Sequence, residues 1–268
     1  MRVLAALDNT DGARPVAEFA VALARVLSAG AEAVHVRRNG SDQARAAAAS
    51  ADLALTVENG EPGARLRREA EAEDVAAVVL GRCTRPSVGP VGAVAQELLT
   101  TLAKPVAVVP ADAAHPGRLG RIVVPLEGTE ATSLAPRRTI VLARDAGLEV
   151  VLVHVFDAES LPSFTDQPQH ETASWTHEFL ARYSPCPPED VRLEVRVGEP
   201  EEHVVAVARD IDADVMALGW SQQLAAGRAA VVRAALEQAR LPVFLIPVVT
   251  VERSGAAVGG AAGVGEVA

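Results

Sequence analysis

The chain has 268 residues, 49% of them hydrophobic and 22% charged, a composition that suits a globular protein long enough for two domains. Its net charge of −10 and lack of any Lys/Arg cluster exclude a counterion-releasing grip on nucleic acid. No apolar stretch approaches the ~20 residues of a membrane span, the first residues enter a strand-like run, and Cys83 and Cys186 stand in no metal-like spacing; the expectation is a cytoplasmic protein with no membrane partner.

In chain order, short apolar runs alternate with stretches of helical period, which is the pattern of βαβ units and a parallel sheet. Aromatic residues make up only 3%, so the core is expected to be Val, Leu, Ile and Ala. Strands are predicted near 2–7, 32–36, 53–57, 75–80 and 105–109. After a linker at 111–118 they recur near 121–126, 149–155, 191–197, 213–218 and 242–246. Between the first two strands, Val16, Phe19, Ala20, Leu23 and Leu27 recur at helical spacing, so that helix lays one apolar face on the sheet. Ala44 to Ala49 reads as a short alanine-rich remnant where the second half has a longer helix, leaving the first sheet less covered and suited to association with another chain. On the longer helix Trp175, Phe179 and Tyr183 step by four, an apolar stripe that covers the second sheet or, alternatively, forms a lid or partner groove. His170 and His177 on the same segment are expected to face solvent, since zinc needs three or four ligands. Residues 250–268 are rich in Gly and Ala and read as a flexible tail.

The chain repeats itself. At an offset of 119, Arg2 to Thr10 falls on Arg121 to Thr129, Leu23-Ala24-Arg25 on Leu142-Ala143-Arg144, and Val34-His35-Val36 on Val153-His154-Val155. At 138, Gly60-Glu61-Pro62 falls on Gly198-Glu199-Pro200, and at 137, Lys104 to Pro110 falls on Leu241 to Pro247. The extra residues of the second copy lie between about Phe156 and Val191. The domains are therefore 1–110 and 119–249. Each is expected to be a doubly wound, parallel five-stranded α/β sheet of order 3-2-1-4-5, with a ligand crevice between the carboxyl ends of its first and fourth strands. An unpaired apolar edge strand is an aggregation hazard, so 105–109 and 242–246 are predicted to pair antiparallel, setting the halves back to back as an internal pseudo-dimer; further homo-oligomer formation stays open.

These landmarks resemble the universal stress protein family over nearly the whole chain: a strand ending in Asp8, a Val-His-Val second strand, Gly-Glu-Pro before the third helix, and Gly81 closing the fourth strand. The resemblance implies an adenine nucleotide α-hydrolase-like fold, a stress-response function without catalysis, and a crevice for ATP or another adenine nucleotide. It places the adenosine end near Asp8 and Asn9, adenine against the backbone near Val36, and phosphate on a G-x-x-G, nine residues, G-S/T cradle whose helix start attracts anions. In the first copy that cradle is Gly81, Arg82, Thr84, Gly89, Gly92 and Ala93, with Thr84 for a glycine, a short spacer and no hydroxyl at Ala93. The second copy has Glu127 for the aspartate, Val155 at the adenine position, and Gly219, Gln222, Gly227 and Arg228 for the cradle, with Ala229-Ala230 where Gly-Ser would stand. The expectation is a degenerate nucleotide crevice in the first domain and no ATP-type site in the second, where Arg228 offers itself to a different anion or to solvent.

Several residues carry two readings. Asp8 is a ligand for adenosine or a cap for the following helix. His35 and His154 repeat without a carboxylate partner and read as packing residues. Cys83, between Arg82 and Arg85, is an oxidant sensor only if its thiol is activated. An ATP-hydrolysing enzyme of the same fold lacks its loops here, since neither a Walker A nor a nucleophile elbow is present; a ligand-free interaction module is the third alternative.

Overall fold

The computed structural model describes residues 1–38, 40–82, 91–114, 117–128, 133–156, 168–223 and 229–248, with the backbone alone over 168–172. The first half runs β1 (Arg2–Ala6), α1 (Ala13–Val26), β2 (Gly30–Arg37), α2 (Asp42–Ser50), β3 (Leu55–Asn59), α3 (Pro62–Ala70), β4 (Val75–Gly81), α4 (Ala93–Thr101) and β5 (Val106–Val109). The second runs β6 (Arg121–Pro125), α5 (Arg137–Asp145), β7 (Glu149–Phe156), α6 (Pro168–Tyr183), a 3-10 turn (Pro188–Asp190), β8 (Val191–Val197), α7 (Pro200–Asp210), β9 (Val215–Trp220), α8 (Ala230–Gln238) and β10 (Val243–Pro247).

The strand order is β3-β2-β1-β4-β5-β10-β9-β6-β7-β8. Each half has the order 3-2-1-4-5, and within each half the strands are parallel. The halves meet where Val243, Phe244 and Leu245 pair antiparallel with Val108, Ala107 and Val106. Two edges that hydrogen-bond leave no break, so the halves lie edge to edge in one ten-stranded sheet; the back-to-back picture is corrected in that respect.

The side-chain alternation of the strands divides the interior into two cores, one on each sheet face. One is covered by α1, α2, α5 and α6 and the other by α3, α4, α7 and α8, and both run unbroken across the seam. Strands buried on both faces need apolar residues throughout, which is why β4 and β5 read Val-Ala-Ala-Val-Val-Leu-Gly and Val-Ala-Val-Val. Helix α1 is buried on most of its circumference, because α2 lies over it as well as the sheet beneath.

The alanine-rich remnant is a nine-residue helix, and Ala44, Ala47 and Ala48 are buried against that first core. The small side chains seat α2 beside α1 on that core, so the first half is covered there by a helix shorter than the sixteen-residue α6 of the second half. Strand β3 begins at Leu55, two residues later than predicted. The reason is the end of α2, where Asp52 takes a φ of 53° and Leu53 N–H returns to the Ala48 carbonyl.

The repeated Gly-Glu-Pro has a backbone cause. Gly60 and Gly198 hold φ of +132° and +136°, a region closed to side chains. Glu61 and Glu199 are then extended caps, and Pro62 and Pro200 open α3 and α7, where a missing N–H costs nothing. Among the described residues no helix is long and apolar enough to cross a membrane.

Candidate functional site

In the first half β1 and β4 stay paired from Arg2 to Ala6, whereas the equivalent ladder of β6 and β9 covers only Ile122 and Val123. It stops two residues before Pro125, which aligns with Ala6 and has no N–H to donate. Beyond that point lies a cavity of about 960 Å³ at the carboxyl ends of β6, β7 and β9, the switch point at which doubly wound sheets bind ligands.

Among the described residues, five aromatic residues border this cavity: Phe156 from β7, Trp175, Phe179 and Tyr183 from α6, and Trp220 from β9. His154 joins them. Its ring centroid lies 4.7 Å from both Phe156 and Phe179 and 5.5 Å from Trp175, while Trp175 is 4.8 Å from Phe156 and 5.0 Å from Phe179. Tyr183 continues the row 4.8 Å beyond Phe179. These are the offset and edge-on spacings that aromatic pairs prefer. The stripe on α6 thus covers the second sheet by closing over a hollow. Among the described residues its charged lining is Glu127, Glu178, Glu201 and Arg182, and the Arg182 guanidinium sits 5.4 Å from the Tyr183 ring centre. At the start of α8, Ala229 adopts a left-handed φ of 52° and provides no side-chain cap.

The paired histidines are structural latches. His35 Nδ1 meets the Leu7 carbonyl at 2.8 Å, and His154 Nδ1 meets the Leu126 carbonyl at 2.9 Å. Each fixes the chain one residue before Asp8 or Glu127, where it leaves the sheet for the crevice. His35 Nε2 also faces the Gly40 carbonyl at 3.0 Å; His154 instead presents its ring to the cavity. His177 is exposed, as expected.

The first-half residues are drawn into the fold's own hydrogen bonds. Asp8 Oδ1 accepts from the Thr10 hydroxyl at 2.7 Å and the Thr10 amide at 3.2 Å, and Thr10 Oγ1 accepts from Gly12 N–H at 3.2 Å as α1 begins. Asn9 Oδ1 accepts from Gln43 N–H at 2.9 Å and so caps α2, and Gln43 Nε2 donates to Asp11 at 2.9 Å. Val36 is a buried strand residue, while Val155 lines the second-half cavity. Gly92 and Ala93 form the cap and first turn of α4, and Gly81 ends β4 with ordinary room for a side chain, since a Cβ there would stand 3.5 Å from Val16. Glu127 and Gly219 line the second-half cavity. Cys83, Thr84, Arg85, Gly89, Gly227 and Arg228 lie outside the described residues, as does the His170 side chain.

Arg82 and Gln222 work across the seam. Arg82 Nη1 donates to the carbonyls of Leu236, Glu237 and Ala239 at 3.0, 3.2 and 3.0 Å, which closes the carboxyl end of α8. Gln222 Nε2 donates to the carbonyls of Leu99 and Leu102 at 3.4 and 2.5 Å, which closes α4. Helix carboxyl ends leave carbonyls without partners, and each half satisfies those of the other. Sequence reasoning put both residues in a phosphate cradle. It also passed over Phe156 as a cavity residue, although the concentration of rare aromatics around β7, α6 and β9 was the available signal.

Residues 119–247 match the model of the universal stress protein family. No curated protein matches the chain. A universal stress protein from Archaeoglobus fulgidus has a similar structure, with a TM-score of 0.65 at 14% identity over 92% of this chain and 98% of that one. A functionally unknown protein from Pseudomonas aeruginosa gives 0.64 at 12% identity over 92% of each chain. At these identities the likeness is one of fold, and it spans both halves. Residues 119–247 thus belong to the universal stress protein family, and the chain as a whole has the fold of a tandem universal stress protein.

Proposed function

We propose that this chain is a non-catalytic, stress-response binding protein of the universal stress protein type, with two crevices of different character. One observation carries the reading. The chain has only five Phe, two Trp and one Tyr, yet five of these eight, Phe156, Trp175, Phe179, Tyr183 and Trp220, border the cavity at the second half's switch point. Packing alone does not require this, since the described core of the first half fills the same architecture with Val, Leu, Ala and a single Phe19. A cavity of that volume and lining suits a drug-sized ring system.

The second crevice has no ATP-type site in this reading, because α8 opens on Ala229 and Ala230 instead of a glycine and a hydroxyl. The first crevice is a degenerate nucleotide site. Asp8 Oδ1 and Asn9 Oδ1 are engaged in local turns, and ATP or another adenine nucleotide binds there weakly at most. Mass spectrometry of small molecules released from freshly purified protein tests the proposal, with an aromatic compound expected in place of ATP. Equilibrium dialysis supplies the opposing result: two ATP per chain, or ATP turnover abolished by Asp8→Ala, overturns it.

A further inference from the structure

We infer that the second-half cavity selects a planar aromatic ligand bearing positive charge and discriminates against phosphate; the inference rests on the binding role proposed above. The rings of Phe156, His154, Trp175 and Phe179 form a continuous wall, with neighbouring centroids 4.7 to 5.5 Å apart. Aromatic faces carry negative potential and attract cations within about 6 Å, Trp most strongly. Around this wall the described lining places three carboxylates, Glu127, Glu178 and Glu201, against one guanidinium, Arg182. Arg182 is already directed at the Tyr183 ring, 5.4 Å from its centre.

Besides Arg182, the amino end of α8 is the feature of the described lining that favours an anion, and a helix dipole supplies only about half a positive charge there. That is too little to offset the carboxylates, and Ala229 contributes no hydroxyl to a phosphate. A ring of the size of acridine can stack against the wall, and a positive charge on it is drawn both to the aromatic rings and to the carboxylates of the lining. A phosphate in the same place meets those carboxylates.

Three probes of one shape separate the terms: cationic 9-aminoacridine, neutral acridine and anionic acridine-9-carboxylate, titrated into the full chain by calorimetry at pH 7.5 and low salt. Both tryptophans, Trp175 and Trp220, line the cavity, so quenching of intrinsic fluorescence places the binding. The expected result is at least about tenfold tighter binding of the cation than of the carboxylate, with acridine between them. The gap should narrow severalfold in a Glu127→Gln, Glu178→Gln, Glu201→Gln variant whose circular dichroism matches the parent. Equal or tighter binding of the carboxylate overturns the charge preference while leaving the binding role intact. Failure of all three probes to bind or quench overturns the binding role itself. A preference unchanged in the triple variant also defeats the inference, because the carboxylates then do not set it.

Discussion

Arg82 and Gln222 perform the same task from opposite halves: each reaches across the seam to the carbonyls that end the other half's last helix, Leu236 and Ala239 for Arg82, and the equivalent Leu99 and Leu102 for Gln222. The seam itself pairs only three residues from each strand. The two reciprocal caps therefore tie helices as well as strands into one unit.

Removing these caps should loosen the seam in a graded way. Arg82→Ala leaves three carbonyls without a charged donor and is expected to cost about 1.5–3 kcal/mol, and Gln222→Ala about 1 kcal/mol. The midpoints of urea unfolding measure both, and a change within about 0.5 kcal/mol for Arg82→Ala, the size of an ordinary surface substitution, would show the contact to be idle.

The glycine at the head of α7 is tested by Gly198→Ala. Its φ of +136° is hostile to a side chain, and the new Cβ would lie 2.5 Å from His203 Nε2. A loss of about 1–3 kcal/mol is expected. Gly117→Ala, where nothing lies within 4 Å, serves as the control and should leave the thermal midpoint in place.

The two latch histidines should respond unequally. His35→Ala takes away the ring that lies between the Leu7 and Gly40 carbonyls, and the buried Leu7 carbonyl left without its partner costs about 1–3 kcal/mol. His154→Ala frees only Leu126 beside an open cavity, so its stability loss is smaller, while tryptophan emission shifts because the ring lies 5.5 Å from Trp175. Equal stability losses would argue against the cavity beside His154 as the difference between the two histidines.

Cys186 is buried, and burial pushes its thiol pKa up against the opposing pull of Arg144. A folded pKa above the unfolded one contributes stability that is complete below the unfolded value and is lost as pH rises through the folded value. In a Cys83→Ser background, maleimide labelling of the native protein at pH 7 to 8 should be slow and should become fast in urea. Rapid native labelling would contradict the burial.

Separating the halves at residues 111–118 should expose Val106–Val109 and Val243–Pro247 as apolar edges. Residues 1–110 expressed alone are expected to self-associate through that edge, as unpaired strands do. A concentration-independent monomer in sedimentation equilibrium would remove the case for edge pairing as the main interaction.

The seam was legible in the sequence because β5 and β10 are short and apolar throughout, and an apolar strand at a sheet edge needs a partner. The latch histidines were visible as a repeat, but their hydrogen bonds depend on where Leu7 and Leu126 leave the sheet. Arg82 and Gln222 were misplaced for a deeper reason. Their partners lie 154 to 157 and 120 to 123 residues away, and only the antiparallel meeting of the halves brings them close. Pro125 was seen to align with Ala6, yet the consequence for the β6 and β9 ladder emerges only when the strands are placed side by side.

The antiparallel meeting of β5 and β10 fixes one more property. Each half is parallel within itself, so the carboxyl ends of β1 and β4 point one way and those of β6 and β9 the other. The cavity beyond β6 and β9 and the Asp8 turn beyond β1 therefore lie on opposite rims of the sheet, and no single compact visitor can touch both.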